Sequence, residues 1–135
     1  MSAQNSQSLS LYQEEIMEHY RDPLHHGALE HATIVQTERN SSCGDELTFY
    51  LQIDNGTVTN VSFQGEGCAI SQATASMLTE ELIGKSVEAV QGLTPDDITE
   101  LIQIPLGPTR LKCALLSLQA VTHGVAEYTD KQKES

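Results

Sequence analysis

Three cysteines and one aspartate are the residues of this chain best suited to metal or sulfur chemistry. Cys43 and Asp45 stand two positions apart in the segment SSCGD, and Cys68 and Cys113 follow later in the chain. Thiolates and carboxylates both bind zinc, and thiolates also hold iron–sulfur clusters. An odd number of cysteines, in a chain that we expect to be cytoplasmic, favours metal-binding or catalytic thiols over a disulfide framework.

The residues between these cysteines predict a small antiparallel sheet. Alternation of apolar and polar residues predicts strands at 33–37, 46–53 and 57–64. The turn DNG at 54–56 joins the last two, because Asn and Gly tolerate the positive φ of a tight hairpin. The three strands therefore form a meander.

Helices are predicted on both sides of the meander. A partial apolar pattern predicts a first helix that begins at Ser8 or Ser10 and ends before Pro23. A second helix follows Gly67 and ends near Gly84. Three further helix starts are predicted at the capping residues Ser86, Thr94 and Thr109. The order of elements predicts an α+β fold, a three-stranded antiparallel meander packed against helices.

Length and composition limit the classes of protein to which the chain could belong. Its 135 residues, 39% of them hydrophobic, predict a single domain over 1–135 with flexible polar tails at about 1–7 and 129–135. The formal net charge of -12 argues against a nucleic-acid or membrane partner and favours a basic protein partner. No segment approaches the roughly 18 apolar residues of a membrane span, and we expect a cytoplasmic protein.

The predicted meander brings two cysteines to one end of the sheet. Cys43 precedes the second strand and Cys68 follows the third, and these strand ends lie side by side in an antiparallel hairpin. Asp45 projects to the same side of an extended chain as Cys43. Cys113, predicted in the first turn of the last helix, joins them if that helix begins there. Together they make a candidate tetrahedral zinc or iron–sulfur site, although scattered buried cysteines are also common core residues.

Other polar residues near these motifs need a separate interpretation. Lys112 precedes Cys113 at a helix start and is either a stabiliser of the thiolate or a solvated lysine. His25 and His26 stand in a loop without paired ligand spacing. His123 follows Cys113 by ten positions, about 15 Å along a helix. We leave the three histidines out of the predicted site.

Four segments spread along the chain carry a resemblance to a known family. They are DPLHHG at 22–27, SSCGD at 41–45, FQGEGCAISQATASM at 63–77 and RLKCALL at 110–116. In sequence, order and separation they resemble the U-type iron–sulfur scaffold family, which contains the IscU, SufU and NifU N-terminal proteins. The resemblance implies a SufE/IscU-like fold and a role in iron–sulfur cluster biogenesis. It implies metal ligation by Cys43, Asp45, Cys68 and Cys113. The implied partners are a SufS- or IscS-type cysteine desulfurase and downstream assembly or acceptor proteins.

The residues around the last two cysteines bear on the branch of the family. GEGCAIS at 65–71 and Lys112 are similar to the SufU branch, whereas IscU proteins carry histidine immediately before the third cysteine. The SufU resemblance implies a zinc-dependent sulfurtransferase in which Cys43 accepts persulfide sulfur from a PLP-dependent cysteine desulfurase. Only 44 residues separate Cys68 from Cys113, as in IscU. That spacing implies the alternative, a scaffold on which a [2Fe–2S] cluster is assembled and transferred.

Overall fold

The computed structural model describes residues 2–41 and 44–134 of the chain. Within those residues a helix is followed by a three-stranded sheet and then by four more helices. The bounds are α1 Ser2–Arg21, β1 Ile34–Asn40, β2 Asp45–Asp54, β3 Thr57–Glu66, α2 Ala69–Leu82, α3 Val87–Gln91, α4 Pro95–Ile102 and α5 Pro108–Glu134. This order confirms the predicted α+β fold with a three-stranded antiparallel meander packed against helices.

The sheet has the strand order β1-β2-β3, and both strand pairs are antiparallel. One face of β2 is buried, as its alternating sequence predicts, and it carries Leu47, Phe49, Leu51 and Ile53. The turn between β2 and β3 contains Asn55 and Gly56, whose φ angles are 52° and 73°. Positive φ at both positions is the geometry of a tight hairpin turn. The turn therefore fixes the register that brings the start of β2 beside the end of β3.

Helices α2 and α5 cover the buried face of the sheet. α5 lies against β1 and β2, α2 lies against β3 and α5, and α1 packs on α2. Close approach of α5 to β1 depends on Gly124, where an added Cβ would lie 2.9 Å from Ile34 Cγ2. The core is mostly aliphatic, and burial of each large apolar side chain stabilises the fold by about 1.5–3 kcal/mol. This packing places the first turns of α5 beside the start of α2.

Two of the predicted helix starts are confirmed by their capping contacts. Ser86 Oγ accepts a hydrogen bond from the Ala89 backbone N–H at 3.1 Å at the start of α3. Thr94 and Asp97 form a capping box at the start of α4, with the Thr94 N–H donating to Asp97 Oδ2 at 2.8 Å. Capping groups satisfy backbone donors that the first helical turn leaves unpaired.

The first and last helices are longer than the sequence predicts. α1 begins at Ser2 rather than at Ser8 or Ser10, and α5 runs from Pro108 to Glu134. Residues 2–7 and 129–134, predicted as polar tails, are thus part of helices. Proline is well tolerated at the first position of a helix, so α5 begins before Thr109. Cys113 therefore lies in the second turn of α5, not in the first turn as predicted.

Candidate metal centre

Asp45 occupies the first position of β2 and is buried. It is 2% exposed and pairs across the sheet with Asn40, the last residue of β1. The Gly44 backbone N–H donates to the Asn40 carbonyl at 2.8 Å, which closes the turn between the two strands. A buried carboxylate is unfavourable unless its oxygens accept hydrogen bonds or bind a cation. The contacts of Asp45 are therefore central to the site.

Cys68 supplies two of those contacts. It is the N-cap residue of α2, and the pairing of Glu46 with Glu66 brings the end of β3 beside the start of β2. The Cys68 backbone N–H donates to Asp45 Oδ1 at 3.1 Å, and the Cys68 thiol donates to Asp45 Oδ2 at 3.3 Å. Cys68 as a whole residue is exposed.

Cys113 completes a cluster of three donors. It is 3% exposed in α5, and the donor atoms of Asp45, Cys68 and Cys113 all lie within 4.8 Å of one another. Tetrahedral zinc separates its sulfur and oxygen ligands by roughly 3.5–3.8 Å, as follows from metal–ligand distances near 2.0–2.3 Å. The Cys68 sulfur and Asp45 Oδ2, 3.3 Å apart, are already close to that spacing. The donor set therefore fits a single zinc ion after small shifts of the thiols.

Two further residues, Cys43 and Lys112, were also predicted to belong to the site. Cys43, predicted as a ligand and as the sulfur acceptor, lies outside the described residues, and both roles stay predictions. Lys112 is exposed beside Cys113 on α5, and its role as a thiolate stabiliser also stays a prediction.

Gly67 and Ser71 lie beside the cluster, although neither was predicted to belong to the site. A Cβ at Gly67 would lie 2.7 Å from Asp45 Cγ and 2.6 Å from Ser71 Oγ. Ser71 is fully buried, and its hydroxyl donates to the Cys68 carbonyl at 3.0 Å and lies 3.8 Å from the Cys68 sulfur. The signal in the sequence is a glycine directly before a cysteine at a helix start.

The three histidines considered in the sequence are engaged elsewhere or stand apart from the cluster. The His26 ring meets the Phe63 ring edge to face with centroids 5.3 Å apart, and the Phe63 N–H donates to the His25 carbonyl at 3.0 Å. His123 Nδ1 lies 2.6 Å from Glu38 Oε1. Among residues 2–41 and 44–134, no histidine shares the cluster of donors.

Comparison with known proteins assigns the family. The sequence model of the protein family described as the NifU-like N terminal domain matches residues 11–135. The chain therefore belongs to the NifU-like N-terminal domain family, the U-type iron–sulfur cluster assembly proteins that the four motifs predicted.

Relatives of two functional kinds match most of the chain. The zinc-dependent sulfurtransferase SufU of Bacillus subtilis is 36% identical over 135 positions, which cover 87% of this chain and 91% of that protein. The iron–sulfur cluster assembly scaffold protein IscU of Thermotoga maritima is 33% identical over 79% of this chain and 87% of that protein. Sequence similarity thus supports a role in iron–sulfur cluster assembly. It does not decide between the SufU and IscU branches, because relatives from both match.

Solved structures share the fold. The SUF-system scaffold protein of Fervidobacterium islandicum aligns with a TM-score of 0.69 at 30% identity, over 83% of this chain and 94% of that one. The N-terminal NifU-like protein of Brucella abortus aligns with a TM-score of 0.72 at 24% identity, over 89% of this chain and 95% of that one. The second likeness is one of fold alone. Within the described part of this chain, no helix is both long enough and apolar enough to cross a lipid bilayer.

Proposed function

We propose that this chain is a zinc-binding sulfur acceptor that takes persulfide sulfur from a PLP-dependent cysteine desulfurase in the cytoplasm. The observation that carries the proposal is the convergence of Asp45, Cys68 and Cys113, whose donor atoms lie within 4.8 Å of one another. The similarity to the B. subtilis relative, a zinc-dependent sulfurtransferase, supports the same function.

The proposed zinc ligands are Cys43, Asp45, Cys68 and Cys113. Three thiolates and one carboxylate supply the four donors that tetrahedral zinc binds. Bound zinc would hold its cysteine ligands as thiolates and limit their oxidation. A structural zinc site usually contains only cysteine and histidine, so the buried carboxylate of Asp45 favours a site that does chemistry over one that only stabilises the fold.

Cys43 is the proposed acceptor because it stands in the sequence between the end of β1 and the start of β2. A thiol in a loop can reach a partner more readily than one held in a helical turn. The Cys43 thiolate attacks the outer sulfur of the desulfurase persulfide and forms a new sulfur–sulfur bond. The sulfur–sulfur bond of the desulfurase breaks, and the electron pair leaves on the desulfurase cysteine as a thiolate. The proton of the persulfide travels with the transferred sulfur, so charge is conserved.

Lys112 is the proposed stabiliser of negative charge at the edge of the site. It is exposed directly before Cys113, near the N-terminus of α5. A lysine ammonium in such a position favours thiolates and persulfides electrostatically. The acidic surface of the chain, with a net charge of -12, favours a desulfurase whose docking surface is basic.

The second candidate function is that of a scaffold on which a [2Fe–2S] cluster is assembled and then passed to acceptor proteins. The spacing of 44 residues between Cys68 and Cys113 favours it, as does the T. maritima IscU relative. Thiolates are the usual ligands of such clusters, and the same donors would serve. The cluster is then the cargo of the protein rather than a resident cofactor.

The two functions are separated by metal analysis combined with sulfur mapping. The protein is purified without added metal, its zinc and iron are measured, and it is then incubated with desulfurase and cysteine. We expect one zinc per chain and added sulfur on Cys43 by peptide mass spectrometry. Cys43→Ser should abolish that sulfur, whereas the matched variant Ser41→Ala should retain it. Iron in place of zinc, or sulfur found only on Cys113, would favour the scaffold.

A further inference from the structure

A gap at Gly67 admits the Asp45 carboxylate to the site. An added Cβ at Gly67 would lie 2.7 Å from Asp45 Cγ and 2.9 Å from Asp45 Oδ1, closer than real Cβ atoms approach other heavy atoms. Gly67 does not have a positive φ, so an alanine there meets no backbone strain of that kind. The requirement for glycine at this position is therefore one of space.

The next residue holds the carboxylate that enters the gap. Asp45 Oδ1 accepts the Cys68 backbone N–H at 3.1 Å, while Oδ2 lies 3.3 Å from the Cys68 sulfur. A charge-assisted hydrogen bond from a backbone amide is strong and has a fixed direction. Oδ1 is thereby engaged with the protein backbone, and Oδ2 is the oxygen that lies beside the thiol donor.

We propose that Gly67 and the Cys68 N–H form a seat that positions Asp45 as a donor through one oxygen, before any metal binds. The residues Gly67 and Cys68 define this carboxylate seat. The effect of the carboxylate seat on metal binding rests on the proposed function. The geometry of the seat does not depend on that function. Gly67 is then a positioning residue, since it touches no metal or substrate and acts only through Asp45.

The first test compares zinc affinities by competition with a chromophoric chelator. Gly67→Ala should weaken zinc binding by about 10–100-fold, the range found when partners of metal ligands are removed, and should match Asp45→Ala. Gly107→Ala is the matched control, because an added Cβ there meets nothing within 4 Å and φ is not positive. The control should bind zinc as the unaltered protein does.

A double-mutant cycle identifies the route of the effect. If Gly67→Ala acts through Asp45, it has no further effect on zinc affinity in an Asp45→Ala background. The competing route is through Ser71, whose Oγ would lie 2.6 Å from the added Cβ. In that case Ser71→Ala would restore zinc affinity to Gly67→Ala, and the Asp45→Ala background would not mask the loss. Either of those two results would overturn the proposal.

A measurement on zinc-free protein separates failure of this proposal from failure of the proposed function. Hydrogen exchange of the Cys68 amide should be slow in the unaltered protein and in Asp45→Asn, which keeps an oxygen acceptor. It should be at least tenfold faster in Asp45→Ala and in Gly67→Ala. An unchanged exchange rate in Asp45→Ala would overturn the seat even if Gly67→Ala failed to fold. Slow exchange in a protein that binds no zinc would refute the proposed function and leave the seat supported.

Discussion

The two ends of the β2–β3 strand pair are closed in different ways. At the hairpin end, backbone hydrogen bonds join the sheet to the segment between α2 and α3. The Val58 N–H donates to the Lys85 carbonyl at 2.8 Å, and the Gly84 N–H donates to the Val58 carbonyl at 2.8 Å. The Val87 N–H also donates to the Gly56 carbonyl at 3.0 Å. This end is therefore held by groups that every residue type except proline possesses.

The opposite end, where the candidate metal centre lies, is held by side chains. The buried carboxylate of Asp45 accepts from Cys68, and Cys113 approaches from α5. Backbone closure tolerates substitution and gives stability, whereas side-chain closure depends on the residue type and offers donors to a ligand. The candidate metal centre thus lies at the end of the strand pair that is closed by side chains rather than by backbone hydrogen bonds.

The largest effect expected at the metal-centre end is that of removing Cys113. Cys113→Ala should lower zinc affinity at least 1,000-fold, about 4 kcal/mol, because a thiolate ligand is lost from a buried position. The measurement is chelator competition, with Leu111→Ala as a control on the same helix. If the Cys113→Ala protein retained its zinc affinity, Cys113 would not be a zinc ligand.

Removal of zinc should destabilise the two ends unequally. At a free zinc concentration one hundred times the Kd, binding stabilises the folded protein by about 2.7 kcal/mol. Chelation should therefore lower the Tm by several degrees and speed amide exchange near Asp45 and Cys68. Amides at Val58 and Gly84 should change little in native-state exchange. Equal loss of protection at both ends would contradict the comparison.

Asp45 should matter less for zinc retention than for sulfur transfer. Asp45→Ala leaves three thiolates, so we expect a folded protein that still binds zinc, though more weakly. Sulfur transfer should fall about 10-fold, equivalent to 1.4 kcal/mol in a barrier, because the carboxylate no longer balances ligand exchange at the site. The assay pairs zinc stoichiometry with desulfurase activation, and Asp45→Cys is the companion variant. Full sulfur-transfer activity in both Asp45→Ala and Asp45→Cys would mean that Asp45 has only a structural role in the turn.

The smallest effect is expected at two glycines with nearly the same φ angle. Gly44, at the metal-centre end, has a φ of 72°, and Gly56, in the hairpin, has a φ of 73°. An added Cβ meets nothing within 4 Å at either position. Alanine should therefore cost each zinc-free protein about 1 kcal/mol of unfolding free energy, measured by urea denaturation. Only Gly44→Ala should also weaken zinc binding, and a similar change in Gly56→Ala would show that the ends are not independent.

The sheet and much of the site could be predicted from local pattern. Alternation along β2 and the turn at Asn55 and Gly56 set the register, and that register places Asp45 beside the residues that follow β3. The adjacency of Asp45 and Cys68 then follows from antiparallel geometry alone. Cys113 differs, because its position depends on how α5 packs across the sheet. Local pattern predicted only that Cys113 joins the site if the last helix begins there, and the family resemblance supplied that condition.

The helix boundaries and the carboxylate seat show where local pattern is insufficient. The first residues of α1 have no apolar periodicity, so the helix start at Ser2 leaves no signal in the sequence. Gly67 looks like an ordinary loop glycine, because the atoms that would clash with a side chain belong to Asp45 and Ser71. Contacts between residues distant in sequence become visible only when the chain is folded.

The donors of the cluster come from three elements that are far apart along the chain. Between Asp45 and Cys68 lie 22 residues, and between Cys68 and Cys113 lie 44. An unfolded chain would have to close both loops to gather these donors, at an entropic cost that grows with loop length. Two ligands only a few residues apart, by contrast, would close a much shorter loop. Binding of a metal ion at this cluster would therefore report that the chain has folded correctly, because the ion would be held only after the sheet, α2 and α5 have assembled.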